Sequence, residues 1–158
     1  MSWLSELLKR FRGRPPVRPP VPPPPPPVPP SGNPTLDAIN RVRAENGLRP
    51  FAENPCLTKQ AQAWAAEMRR RGVMSHAGFQ QRVAACPAVA NAGEVVAAGY
   101  RTPYEAAVGW RRSPGHWDIL GSAWDGCGAG FDGTYYAALC GDTNRFSTPF
   151  VVDPNELA

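Results

Sequence analysis

The chain has 158 residues, enough for one domain of ordinary size, and 13 of its 20 prolines lie at or before Pro34. Its net charge of +4 belongs wholly to residues 1–32, with five basic side chains and one acidic; residues 33–158 carry 12 of each sign. The basic character therefore describes a tail and not a binding face, which removes the support for nucleic-acid binding, and no apolar run approaches the roughly 18 residues of a membrane span.

The N-terminal MSWLSELLKRFRGR is a poor signal peptide, because Ser5, Glu6 and Lys9 interrupt its apolar residues and no small-residue cleavage site follows. Trp3, Leu4, Leu7, Leu8 and Phe11 recur at helical spacing, with Ser2, Ser5, Glu6, Lys9 and Arg10 on the other face. Residues 1–14 thus read as a short amphipathic segment. It suits a membrane surface or the groove of a partner assembly; the alternative is a frayed, solvated terminus, since so short a helix is marginal alone. Residues 15–32 form a Pro-rich spacer. The run RPPVRPPVPPPPPPVPP lacks the donors for a helix or a ladder and must be extended polyproline II, reaching roughly 50 Å at about 3.1 Å per residue. A ligand for an aromatic-lined groove is the second use of such a run.

The domain is expected over 33–145. Asn33-Pro34-Thr35 opens a helix with Leu36, Ile39, Val42 and Arg43 on one stripe and Gly47 as its stop. Asn54-Pro55 opens a second, where Leu57, Ala61, Trp64, Ala65 and Met68 share a face; Arg69, Arg70 and Arg71 fall in its last turn and Gly72 ends it. Phe79–Ala85 is a candidate short helix and Glu94–Ala97 a buried strand. Thr102-Pro103-Tyr104-Glu105 is a capping box for a helix through Trp110 and Arg111. Ser113-Pro114 starts another short helix or turn, with Ser113 as its cap and His116 in the first turn.

Gly126–Phe131 and Tyr135–Cys140 read as a hairpin with two possible registers. A type I′ turn at Asp132-Gly133 sets Cys127 opposite Ala138; a type II′ turn at Gly133-Thr134 sets it opposite Cys140. None of the four cysteines, Cys56, Cys86, Cys127 and Cys140, forms CxxC, and an even count favours two disulfides and an oxidising compartment. If Cys127 bridges Cys140, the second register is required, and Cys56 pairs with Cys86 by elimination. That compartment without a signal peptide implies export by another route, or assembly into a particle later released from the cell. Helix, helix, strand, helix and hairpin in this order give an α+β fold with helices on both sides of a small antiparallel sheet.

From Leu36 to about Gly141 the chain resembles the CAP superfamily, which groups cysteine-rich secretory proteins, antigen five and pathogenesis-related proteins with bacterial SCP-like relatives. The matching pieces are INRVRAENGLRPF, NPCLTKQAQAWAAEM, SHAGFQQRV, NAGEVVAAGY, WRRSPGHWDIL and GCGAGF, in that order; the SPGH step has the bacterial form. The resemblance implies a three-layer α-β-α sandwich with a cleft of two histidines and two glutamates able to hold a divalent metal. By position the histidines are His76 and His116 and the first glutamate is Glu94. Ser113 stands where the second glutamate falls, and Val95 replaces the usual asparagine. The segment after His116 is one residue shorter than the usual bacterial pattern.

Two imidazoles and a carboxylate are donors that zinc or another divalent metal accepts, with a fourth position for water. The alternative is that both histidines are hydrogen-bonded wall residues of a polar cleft. Hydrolysis of a cell-envelope substrate, by metal-bound water or by Ser113 activated by His116, is a second expectation, but no nucleophile-elbow motif surrounds Ser113. A non-catalytic binding or structural module is favoured, taking a lipid or sterol, a cell-wall component or a protein. A third expectation comes from the amphipathic segment and spacer, which suit display on a cell surface or in a phage particle, hence an extracellular, surface or virion-associated protein. The tail 146–158 lies beyond the resemblance; its Phe150–Val152 is a candidate edge strand or contact segment.

Overall fold

The computed structural model describes residues 29–143; the amphipathic segment 1–14, nearly all of the spacer and the tail with its Phe150–Val152 segment lie outside the described residues. Five helices and four strands follow in order: α1 (Pro34–Glu45), β1 (Ala52–Glu53), α2 (Pro55–Arg71), α3 (Phe79–Ala84), β2 (Ala90–Ala98), α4 (Pro103–Arg111), α5 (Pro114–Leu120), β3 (Gly126–Asp132) and β4 (Tyr135–Asp142). Local chemistry sets the helix starts. Asn33 Oδ1 accepts from Thr35 N and Leu36 N at 3.2 and 3.1 Å, and Asn54 Oδ1 accepts from Leu57 N at 3.0 Å. Thr102 Oγ1 accepts from Glu105 N at 3.1 Å, while the Glu105 carboxylate reaches back to Arg101 N at 3.0 Å. α2 ends at Gly72, whose φ of 67° is the left-handed conformation glycine adopts freely.

The sheet order is β1-β3-β4-β2. The β3–β4 hairpin has Asp132 opposite Tyr135 and Cys127 opposite Cys140, so Gly133-Thr134 is the turn and the type II′ register holds, with Gly133 at φ +57°. Cys127 is bonded to Cys140 and Cys56 to Cys86. One feature escapes the sequence pattern. β1 pairs in parallel with β3, so the sheet is mixed and not purely antiparallel. A two-residue strand carries no alternation to read; it exists because Ala52 N donates to Asp125 O and Asn54 N donates to Cys127 O at 2.9 and 3.0 Å.

The period-two alternation of the strands builds the two cores. Val95 and Ala97 of β2, with Tyr136, Ala138 and Cys140 of β4, face Leu36, Ile39 and Val42 of α1 and Ala106, Ala107 and Trp110 of α4. Val96, Ala137 and Leu139 point the other way, onto Leu57, Ala61, Trp64 and Met68 of α2 and onto Phe79 and Val83 of α3. This is the three-layer α-β-α sandwich. On the α2 side the middle of β3 presents glycine: a Cβ on Gly128 would lie 2.0 Å from Thr58 N, and one on Gly130 2.6 Å from Gln62 Cα. The alternating glycines of GCGAG let α2 rest directly on the strand backbone. By the same parity Glu94, two residues before Val96, is carried to the α2–α3 side of the sheet, under the segment that bears His76.

Candidate functional site

Glu94 is the centre of the arrangement. Its side chain is 1% exposed, and a bare carboxylate at that depth would be prohibitively costly. Arg82 of α3 supplies the counter-charge. Its Nε donates to Oε2 at 2.8 Å and its Nη2 to Oε1 and Oε2 at 2.8 and 2.6 Å. The guanidinium lies over the Trp64 ring, 4.0 Å from the centroid, and its Nη1 donates to Ala77 O at 2.7 Å. Trp64 Nε1 donates to Ser75 O at 2.8 Å. Arg82 and Trp64 together therefore pin the 75–77 segment on either side of His76.

His76 Nδ1 lies 2.9 Å from Glu94 Oε1. An ionised carboxylate only accepts, so Nδ1 carries the proton and donates, which leaves Nε2 as the free ring nitrogen on a half-exposed side chain. His116, in the first turn of α5, has a buried Nδ1 with no partner among the described residues. It borders a cavity of about 220 Å³ with Met74, Val96, Trp110 and Ser113 on the other walls. Three larger hollows, about 520 Å³ beside Tyr104, about 360 Å³ beside Trp124 and about 260 Å³ beside Gln62, hold no such unpartnered atom among the described residues. Ser113 occupies the N-cap position of α5, but its side chain makes no capping hydrogen bond. This corrects the capping role read from the sequence: Pro114 and the Ser113 carbonyl, which accepts from Trp117 N at 2.9 Å, start the helix without the hydroxyl.

Burial pushes the His116 imidazole below its ordinary proton affinity, and the charge of His76 acts in the same direction. The unfolded chain takes up this proton near pH 6.5, the folded chain only at lower pH. Between those values the unfolded state binds more protons, so the stability present above about pH 6.5 declines as pH falls through that window. The urea midpoint of the wild-type protein is expected to drop between pH 7.5 and 5.5 by more than that of His116→Gln. Equal drops would show that another group carries the dependence.

The donor set does not fit a metal through Glu94. Both carboxylate oxygens are already engaged by Arg82 and one also by His76. Among the described residues no group of three or more His, Cys, Asp or Glu side chains is placed to hold a metal ion. Arg82 is the residue that the sequence reading missed. A signal was present: with Phe79 and Val83 it falls at i, i+3 and i+4, an arginine on the apolar face of a short helix, and such a cation needs a buried partner.

The model of the cysteine-rich secretory protein family, CAP, matches residues 36–143. The chain belongs to this family. Its CAP domain has the fold of three bacterial proteins of known structure, each matched over 68% of this chain. An extracellular SCP-domain protein of Bacillus anthracis is 23% identical with a TM-score of 0.62. An outer surface protein of Borrelia burgdorferi is 19% identical with a TM-score of 0.60. A cysteine-rich secretory protein of Staphylococcus aureus is 16% identical with a TM-score of 0.57. The match spans 88% of the Borrelia protein but only 39% and 37% of the Bacillus and Staphylococcus chains. No curated protein sequence matches. The two disulfides of this CAP domain suit an oxidising, extracellular environment.

Proposed function

We propose that this CAP domain is a non-catalytic binding module, held away from its attachment point by the proline spacer. The observation that carries this reading is the state of the groups that catalysis would need. Among the described residues the one deeply buried carboxylate, Glu94, is neutralised by Arg82, and the unpartnered His116 Nδ1 receives nothing from Ser113. A hydrolase needs an activated nucleophile or a free acid–base pair, and neither the Ser113 hydroxyl nor the Glu94 carboxylate is arranged for it.

The cavity beside His116 supports a ligand of limited size. Its volume of about 220 Å³ lies below the roughly 300–1,000 Å³ of sites that enclose whole drug-sized molecules. It suits the end group of a larger cell-envelope ligand: one apolar edge against Met74, Val96 and Trp110, and one polar group bonded to the His116 nitrogen. Attachment through residues 1–14, to an anionic membrane or into the groove of a cell-surface or virion assembly, completes the proposal. The charge beside the apolar stripe favours a membrane at about 1 kcal/mol per basic residue near the surface.

The test is a titration of the full chain with soluble peptidoglycan fragments and, separately, with short-chain phospholipid, followed by NMR. The expected result is saturable shifts of Trp110 and His116 with one of the two ligand classes, weakened at least about tenfold in His116→Ala, the size of one lost hydrogen bond to a buried group. Saturable binding that is unchanged in His116→Ala, or turnover of either ligand, would refute the reading.

A further inference from the structure

We infer that Arg82 stands where a metal ion would have to stand, and that its guanidinium keeps the CAP cleft of this chain from taking a divalent cation through Glu94. The inference rests on the charges and lone pairs of the cleft and does not depend on which ligand the His116 cavity takes.

A carboxylate offers about four acceptor positions. Arg82 fills three with hydrogen bonds of 2.6–2.8 Å, and His76 Nδ1 takes the fourth at 2.9 Å. A metal would have to displace a cation that cannot shed its proton, because arginine stays charged at any pH a protein tolerates. A displaced guanidinium has nowhere to go: the side chain is 9% exposed, stacked on Trp64 at 4.0 Å and tied to Ala77 O at 2.7 Å. Left in place, it would face the metal across Glu94 as a like charge in a medium of low polarity, where such repulsion is strong. His76 is constrained as well. The proton that it donates to Glu94 is fixed on Nδ1, so only Nε2 is open to a ligand. That leaves two imidazole nitrogens and no carboxylate, short of the three protein ligands of an ordinary zinc centre. Arg82 thus does electrostatically what a bound cation would do, neutralising Glu94 and orienting His76, with no ion required.

The test is zinc titration of the full chain by calorimetry, with thermal unfolding followed in parallel. Wild type and Glu94→Gln are expected to respond alike to zinc, with no uptake that depends on Glu94 and no zinc-dependent rise in unfolding temperature, even where the variant starts from a lower one. Arg82→Gln, which frees the carboxylate and removes the charge, is expected to take up zinc through Glu94 and His76 where the wild type does not, with a zinc-dependent rise in unfolding temperature. Both gains should be lost again when His76→Ala is added. One equivalent bound by wild type and lost in Glu94→Gln would overturn the inference, as would a folded Arg82→Gln that takes up no zinc. Should Arg82→Gln fail to fold, the comparison of wild type with Glu94→Gln decides: equal behaviour supports the inference and a loss in Glu94→Gln overturns it.

Discussion

Arg82→Met is expected to destabilise the domain by about 3–5 kcal/mol, the cost of breaking a buried ion pair and leaving one charge uncompensated. Methionine retains most of the volume against Trp64, so the loss reports the charge and its hydrogen bonds more than a cavity. Glu94 is left 1% exposed with His76 as its remaining partner. The pins on either side of His76 also change, since the Arg82 bond to Ala77 O disappears while the Trp64 bond to Ser75 O remains. The double variant Arg82→Met/Glu94→Met is expected to recover most of the lost stability, because replacing a whole buried pair by apolar groups of similar size is often neutral or better. Urea unfolding of the wild type, both single variants and the double variant closes the cycle. A double variant no more stable than Arg82→Met would mean that the pair contributes geometry that apolar packing cannot replace.

Loss of the Cys56–Cys86 bridge comes next in size. The two cysteines are 30 residues apart, between the roughly 15- and 100-residue loops for which chain-entropy arguments give about 3 and 4.7 kcal/mol. Cys56→Ala/Cys86→Ala is therefore expected to cost about 3–4 kcal/mol and to lower the unfolding temperature by roughly 10–20 °C. This bridge ties the first turn of α2 to the segment just after α3 and so closes the loop that contains His76 and Arg82. Its removal should also broaden the NMR signals of His76 relative to those of His116. The Cys127–Cys140 bridge closes a loop of only 13 residues of separation within a hairpin whose β4 strand is already held by ladders to β3 and β2. Its loss should cost less, about 3 kcal/mol or below. Equal losses for the two pairs, or a cost under about 1 kcal/mol for Cys56–Cys86, would show that the ladder and the cores already restrict the chain as far as the bridges do.

His76 and Glu94 were legible as site candidates only through the order of six short pieces, and the structure brings them into contact at 2.9 Å. His116 was legible in the same way, and its position at a cavity wall follows from Ser113-Pro114 starting α5. The reading of Ser113 as a side-chain cap fails because residue type at a helix start states what a hydroxyl is able to do, not where its rotamer is held by neighbours. The sequence places the arginine run in the last turn of α2. In the fold Arg70 and Arg71 pair with Glu67, and Arg69 pairs with Asp132 across to the hairpin turn. The shared partner Glu67 is visible at helical spacing, and Asp132 is not.

The sequence by itself determined whatever is settled within a few residues. Asparagine and threonine caps mark the starts of α1, α2 and α4 because a cap bonds to the turn that follows it. Gly72 ends α2 for the same local reason, and the net positive charge is confined to residues 1–32. The alternation of apolar residues said which face of each element is buried. It did not say what lies opposite. Arg82 and Glu94 are 12 residues apart, on a helix and a strand from different layers. β1 depends on a strand that begins more than 70 residues later. These pairings are selected by the stacking of whole layers, through the glycines of β3 that bring α2 down onto the sheet and the parity that turns Glu94 toward α3. A buried charge announces that it needs a partner, but only the packed tertiary structure decides whether that partner is a metal or an arginine.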